Sequence, residues 1–195
     1  NYDDGIHGIL LLMPLPKHIN SENVKHAIAP EKDIDGLTDE NMCRLYAGDK
    51  DGFAPCTPSA VMELLEYYGI DVTGKNVVIV GRSLVVGKPL LMLMLAKNAT
   101  VTVCHSKTEN LKNVCRQADI LVAAAGRAKM INADYIAENA VVIDVGINQD
   151  ENQNMCGDAD YESVCTKASA VTPVPGGIGS ITTSVLAKHT VEAAL

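Results

Sequence analysis

Gly81, Arg82, Ser83 and Gly87 are the residues whose types and spacing most directly suggest chemistry. They follow the apolar run Val77-Val78-Ile79-Val80 and precede an apolar segment, 90–96, rich in helix formers. A buried strand, a tight small-residue turn and a helix start gather backbone N–H groups and the positive end of a helix dipole at one point. Such a point attracts phosphate. The two glycines and the serine fall at i, i+2 and i+6, against the i, i+2, i+5 spacing of the common dinucleotide fingerprint. The turn suggests a nucleotide site, and a strand-turn-helix unit that binds nothing stays open beside it.

A second group bears on which nucleotide would bind. NAD-binding sheets carry an acid near the end of the second strand, where it bonds the ribose 2′-hydroxyl. Here that stretch reads Cys104-His105-Ser106-Lys107-Thr108 and has no acid. Arg82 with Ser106 and Lys107 could meet a 2′-phosphate instead, since arginine forks suit phosphate and hydroxyls add donors. The pattern leans to NADP, with solvated surface cations as the competing reading.

Two loops complete the candidates. Lys32-Asp33-Ile34-Asp35-Gly36 is polar and carries two carboxylates, although Asp-Gly is by itself a common turn. Thr172-Pro173-Val174-Pro175-Gly176-Gly177-Ile178-Gly179 joins prolines that hold an extended backbone to glycines that admit close approach. A domain linker would look the same.

These residues must be positioned by regular elements. The run 8–13 reads as a buried strand stopped by Pro14-Leu15-Pro16, and Ser21 is placed to cap a helix over 22–29. A short helix over 41–47 ends at Gly48. Thr57 and Pro58 open a helix whose apolar face is Val61, Leu64, Leu65 and Tyr68, and Gly69 stops it. That helix should bridge two lobes. Beyond it, strands at 77–80, 100–104, 119–124, 141–145 and 169–172 alternate with helices at 89–97, 108–116, 133–137 and 160–167. Thr108 is the expected cap of the second of these, and 146–155 reads as an exposed polar loop. A final helix covers 181–195. This alternation predicts an α/β, doubly wound parallel sheet, Rossmann-like, with a partial second α/β lobe. Its carboxyl edge collects Gly81, His105-Ser106, Gly126, Gly146-Ile147 and Pro173, where ligands of such sheets bind.

Composition narrows the partners. Of 195 residues 47% are hydrophobic, with no tryptophan and one phenylalanine, so the core is aliphatic. A net charge of −8 argues against nucleic acid. No apolar run approaches the ~20 residues of a membrane span, and no basic-then-apolar leader opens the chain. Six cysteines lie scattered without a C-x-x-C pair, and only Cys104-His105 adjoin. No metal site is expected, and free thiols in a reducing cytoplasm are. The chain opens Asn1-Tyr2-Asp3 without methionine, which suggests a fragment.

Seven motifs in order resemble the methylenetetrahydrofolate dehydrogenase/cyclohydrolase family. They are Pro14-Leu15-Pro16, Lys32 to Gly36, Pro55-Cys56-Thr57-Pro58, Gly81-Arg82-Ser83 through Pro89, Cys104 to Thr108, Ile143-Asp144-Val145-Gly146-Ile147-Asn148, and Thr172 to Gly177. The resemblance runs from about Gly8 to the C-terminus. It implies a two-lobed enzyme, usually a homodimer, with folate bound between the lobes. Residues 1–56 would form part of the folate-binding catalytic lobe, rejoined by 181–195, and residues 57–180 the NADP-binding domain. It implies NADP held by Gly81, Arg82, Ser83 and Ser106, with the Ile147 backbone near the nicotinamide. Asp35 would hold the pterin, and Pro173, Gly176 and Gly177 would line the folate cleft. Hydride would pass from the one-carbon bridge of 5,10-methylenetetrahydrofolate to NADP⁺, and hydrolysis of the methenyl product would follow.

Three departures accompany the resemblance. The family's Tyr-x-x-x-Lys helix, source of its catalytic lysine, is expected upstream of residue 1. The spacing Tyr46…Lys50 mimics it but straddles Gly48 and lies at the wrong place. Leu12 stands where the family has a glutamine that aids hydrolysis, which weakens the expectation of cyclohydrolase more than that of dehydrogenase. The family's Gly-Pro-Met is Gly179-Ser180-Ile181 here. A non-catalytic dinucleotide-binding fragment and another NADP-dependent oxidoreductase, acting on a hydroxy acid, are the alternatives.

Overall fold

A computed structural model describes residues 1–49 and 51–195. Lys50, the last residue of the Tyr46…Lys50 spacing, lies outside the described residues. The run 8–13 is not the strand its composition predicts. Ile9 alone bridges to Asp33, its N–H donating to the Lys32 carbonyl at 2.6 Å. A strand needs a ladder of partners, and one bridge does not hold six residues extended. Leu10, Leu12 and Met13 are consequently exposed, Leu12 by 73%.

Helix α1 (Ser21–Ala27) is capped by the Asn20 side chain, which accepts from the Glu22 and Asn23 N–H groups. Ser21, the expected cap, is the first helical residue. A 3-10 turn at Pro30–Lys32 leads to α2 (Asp39–Ala47), capped by Thr38 and closed by Gly48 at φ 75°. Helix α3 (Cys56–Tyr67) starts before Thr57, whose hydroxyl makes no capping bond. The carboxylate of Asp35 accepts the Cys56 N–H at 2.9 Å in its place.

The second part of the chain alternates as the β-branched runs predict. Strand β1 (Asn76–Val80) is followed by α4 (Gly87–Ala96), β2 (Thr100–Cys104), α5 (Leu111–Cys115) and β3 (Ile120–Ala123). Asn110 in the left-handed region precedes α5, because Thr108 is engaged in a turn with His105. The stretch expected as a short helix near 133–137 is a 3-10 turn, Ala133–Tyr135. Strand β4 (Val141–Asp144) comes next. The stretch 146–155 is more than a polar loop. It folds into a hairpin of β5 (Asn148–Gln149) and β6 (Met155–Cys156), paired antiparallel. Helix α6 (Tyr161–Val164), β7 (Ala170–Val171) and α7 (Ile178–Glu192) close the chain.

Five strands form one parallel sheet in the order β2-β1-β3-β4-β7. Strand residues alternate between its two faces, and both faces are buried. Val77, Ile79, Ile120, Val122 and Ile143 pack against α3, α4 and α7. Val78, Val80, Leu121, Ala123 and Val142 pack against α5, α6 and the 3-10 turn. A fully buried Ile79 or Leu121 contributes roughly 1.5–3 kcal/mol over its exposed state. The winding reverses between β1 and β3, and a crevice opens where their carboxyl ends diverge.

Helix α7 packs along α3 and carries His189 to the first part of the chain. Its Nδ1–H donates to the Ile34 carbonyl at 2.9 Å, since a carbonyl can only accept. The same ring lies 5.1 Å from Phe53, centroid to centroid, with Cys56 Sγ beside it. Lys188 pairs with Glu63 across the two helices at 2.8 Å.

Candidate functional site

The crevice between β1 and β3 is the first candidate. Gly81 ends β1 at φ 144°, and a Cβ there would overlap the Ala124 carbonyl. Gly87 opens α4, and a Cβ there would overlap the Gly81 carbonyl. Both glycines therefore let the strand end and the helix N-terminus approach. Ser83 holds the turn between them, its Oγ accepting the Val86 N–H at 3.1 Å. On the neighbouring strand end, Thr108 Oγ1 accepts the His105 N–H and His105 Nδ1 accepts the Lys107 N–H. That interlocked turn leaves Ser106 exposed on the rim.

A cavity of about 480 Å³ lies there, lined among others by Gly81, Arg82, Ser83, His105, Ser106 and Arg127. Four of the five residues expected around a cofactor thus share one cleft. Lys107, weighed beside Ser106, is exposed and does not line it. Arg127, Met130 and Tyr135 do, and sequence reasoning missed all three. Gly126, named at the strand edge, was the available signal that the next residue would face the cleft.

Ile147, the fifth, belongs to a second recess of about 190 Å³ at the ends of β4 and β7. Asp144, Gly146, Pro173, Gly176, Gly177 and Ser180 help to line it, and Ile147 is 68% exposed. Gly176 has φ 97°, and a Cβ on Gly177 would overlap the Pro173 carbonyl, so both glycines shape the loop. Thr172 Oγ1 accepts the Asp144 N–H at 2.7 Å and joins the two strand ends.

Two buried carboxylates organise the loops between the recesses. Asp144 accepts from the N–H groups of Gly146, Asp158 and Ala159 at 2.9, 3.0 and 2.7 Å. Burial pushes its pKa up, with those N–H bonds opposing and the Asp158 charge adding to the rise. Asp158, fully buried, accepts from the Ala125, Gly126 and Arg127 N–H groups and from Asn148 Nδ2.

Asp35 lies apart. It sits in the turn from Asp33 to Gly36, as the Asp-Gly pair predicts, and lines neither recess. The antiparallel α3/α7 pair spans the gap, with Cys56 and His189 near Asp35 and Gly177 at the far end. Ile178 to His189 is twelve residues of helix, eleven rises, roughly 16 Å at the usual rise. Among the described residues no group of three or more His, Cys, Asp or Glu is arranged to hold a metal ion. No helix of the described residues is long and apolar enough to cross a membrane.

Residues 55–195 match the family profile described as tetrahydrofolate dehydrogenase/cyclohydrolase, NAD(P)-binding domain, and residues 1–35 match that family's catalytic domain. Bifunctional protein FolD of Clostridioides difficile is 55% identical over 193 residues, covering 99% of this chain and 67% of the relative. That of Clostridium kluyveri is 56% identical over 193 residues, covering 99% and 68%. Bifunctional FolD from Campylobacter jejuni shares the fold with a TM-score of 0.97 and 45% identity over 100% of this chain and 69% of that one. A Trypanosoma brucei FolD solved with NADP cofactor and inhibitor gives 0.90 and 38%, covering 96% and 66%. The chain spans about two thirds of the length of these relatives. It belongs to the tetrahydrofolate dehydrogenase/cyclohydrolase family.

Proposed function

We propose that the protein oxidises 5,10-methylenetetrahydrofolate to 5,10-methenyltetrahydrofolate with NADP⁺, and hydrolyses the product to 10-formyltetrahydrofolate as the bifunctional relatives' name implies. The observation that carries this is the cleft at the reversal of the sheet, with Arg82, Ser83 and Ser106 around the Gly81 turn. Family membership favours this reading over a non-catalytic binding fragment or a hydroxy-acid oxidoreductase.

The residues present fit the cofactor. The overlap that a Cβ at Gly81 or Gly87 would cause supports a backbone built for close approach. Arg82 has no ion-pair partner among the described residues and stays available for a 2′-phosphate, with Ser106 adding a hydroxyl. Ile147 presents backbone and an apolar side chain beside the second recess, suited to the nicotinamide end. Bound there, NADP⁺ supplies the hydride acceptor. The chain's own part is to hold two reactants face to face, because nitrogen lone pairs already stabilise the cation formed.

Asp35 is proposed to bind the pterin through the carboxylate oxygen not engaged with Cys56. Pro173, Gly176 and Gly177 would border the other end of the substrate. The length of α7 between Gly177 and His189, roughly 16 Å at the usual helical rise, suits a folate, whose pterin, aminobenzoyl and glutamyl groups lie in line. Leu12 can neither donate nor accept a hydrogen bond, so hydrolysis should be the weaker activity. The decisive assay follows NADPH absorbance with 5,10-methylenetetrahydrofolate, then with the folate omitted. Folate-dependent NADPH supports the reading, and none rejects it.

We also propose a homodimer in the cytoplasm. Among the described residues strand β7 pairs only with β4 and leaves one edge free. Beside it runs a groove of about 800 Å³ lined by Leu64, Tyr67, Tyr68, Ile70, Val171 and Ile181, fit for a second copy. The six free thiols, four of them buried, suit a reducing compartment. Sedimentation at micromolar concentration should give twice the chain mass, and a monomer would reject the dimer.

A further inference from the structure

The turn at 125–127 follows β3 and lines the same cleft as Arg82 through Ala125 and Arg127. Its three successive amides all point inward, at a single carboxylate. Asp158 Oδ2 accepts from Ala125 and Gly126 at 2.5 and 2.9 Å, and Oδ1 accepts from Arg127 at 2.7 Å and from Asn148 Nδ2 at 2.9 Å. Converging backbone N–H groups form a nest that attracts an anion. Here the anion is built in, from a residue more than thirty positions further along the chain. Asp144 fixes Asp158 in turn, accepting its N–H at 3.0 Å.

The turn ends in Arg127, and the state of that side chain gives the arrangement its meaning. Arg44 is paired with Glu40, and Arg116 donates to the Asp134 carbonyl. Arg82 and Arg127 are exposed, have no hydrogen-bond or ion-pair partner among the described residues, and line the same cleft. In a chain of net charge −8, two unneutralised guanidiniums facing one cavity are a local reversal of sign. Arg82 stands after β1 and Arg127 after β3, so an elongated ligand with more than one anionic centre could engage both.

We propose that Asp158 is a positioning residue of the cofactor site. It holds the 125–127 turn as a cleft wall and so presents Arg127 to the anionic groups of the dinucleotide. The inference rests on the NADP reading above. Asparagine cannot replace Asp158, because whichever way its amide turns, two of the four donors face an NH₂ group. Arg127 then loses its fixed backbone, and the wall loosens toward solvent.

The test is calorimetric titration of NADP⁺ into the wild type, Asp158→Asn, Arg127→Ala and the double variant, with melting temperatures in parallel. Arg127→Ala should weaken binding roughly thirtyfold, the size of a lost charge-assisted contact. Asp158→Asn should weaken it at least as much, and the double variant should be no worse than Asp158→Asn, because the second change removes a contact already lost. In steady state Asp158→Asn should raise the KM for NADP⁺ while kcat changes little. A lowered melting temperature with unchanged affinity per folded molecule would overturn the proposal, since that is all a structural role predicts. Fully additive losses would overturn the link to Arg127. If Asp158→Asn does not fold, Gly126→Ala disturbs the same turn from the solvent side, where φ is +65° and no atom lies within 4 Å of the added Cβ. Unchanged NADP⁺ affinity in that variant rejects the proposal. Failure of the wild type to bind NADP⁺ would reject the cofactor reading itself, a separate result.

Discussion

The carboxylate of Asp35 accepts the backbone N–H of Cys56 at 2.9 Å, so a residue 21 positions upstream caps helix α3. One oxygen is used in structure and the other remains for a ligand. Asp35→Ala should therefore act twice. It should abolish folate-dependent NADP⁺ reduction, and it should cost about 1 kcal/mol of stability through the lost cap. Asp35→Asn can keep the cap through its amide oxygen while removing the charge. Its melting temperature should stay near wild type while turnover falls, with NADP⁺ affinity unchanged in both variants. Wild-type turnover in the asparagine variant would count against pterin binding at this residue.

Arg82 has no partner among the described residues and lines the cleft beside Ser83 and Ser106. Its loss should be felt by the 2′-phosphate alone. A charge-assisted contact of about 2 kcal/mol corresponds to roughly thirtyfold in KM for NADP⁺ in Arg82→Ala. The KM for NAD⁺, which has no 2′-phosphate, should stay nearly constant. Equal losses for both dinucleotides would place Arg82 on the pyrophosphate instead.

The sheet was legible because buried parallel strands announce themselves as short β-branched runs bounded by small residues. The second strand, 100–104, is found as read, and Gly81, Arg82, Ser83 and Ser106 meet at one cleft. What escaped was whatever depends on distant partners. Thr57 looked like the cap of α3, but Asp35 occupies that place from another segment. Residues 8–13 have the composition of a strand, yet Ile9 finds one bridging partner and the apolar side chains around it stay exposed. Asp158 bonds residues 31 to 33 positions away, a relation no local spacing encodes. Arg127 was hidden for the same reason, since its place on the cleft depends on that carboxylate.

Asp144 should leave a signature in the pH dependence of stability. Burial holds its folded pKa above the ordinary carboxylate value of 3.8. Between 3.8 and the raised value the folded state binds more protons than the unfolded chain, so stability falls as pH rises through that window. Below it the contribution is fully present, and above it a constant penalty remains. Asp144→Asn cannot titrate there. The difference in unfolding free energy, wild type minus variant, should thus be largest at acid pH, shrink just above 3.8 and then level off. A difference that grows with pH would mean the three N–H bonds outweigh burial.

The six cysteines separate by environment. Burial raises the pKa of Cys104 and pushes that of Cys115 up to about 12, and burial also raises that of Cys56, with the Asp35 charge adding to the Cys56 shift. A thiol reacts as its thiolate, so these groups are protected both by enclosure and by charge. Cys156 is buried as well, while Cys43 and Cys165 are exposed. A disulfide-exchange reagent at mildly alkaline pH should count two thiols in the folded protein and six in denaturant. NADP⁺ should protect neither exposed thiol, because neither Cys43 nor Cys165 lines the cleft. Rapid reaction of a third thiol in the native state would show that one of the buried sites opens. Peptide mapping would then locate it. Cys104 would implicate the β2 end beside Ser106, and Cys56 would implicate the junction of α3, α7 and the Asp35 turn.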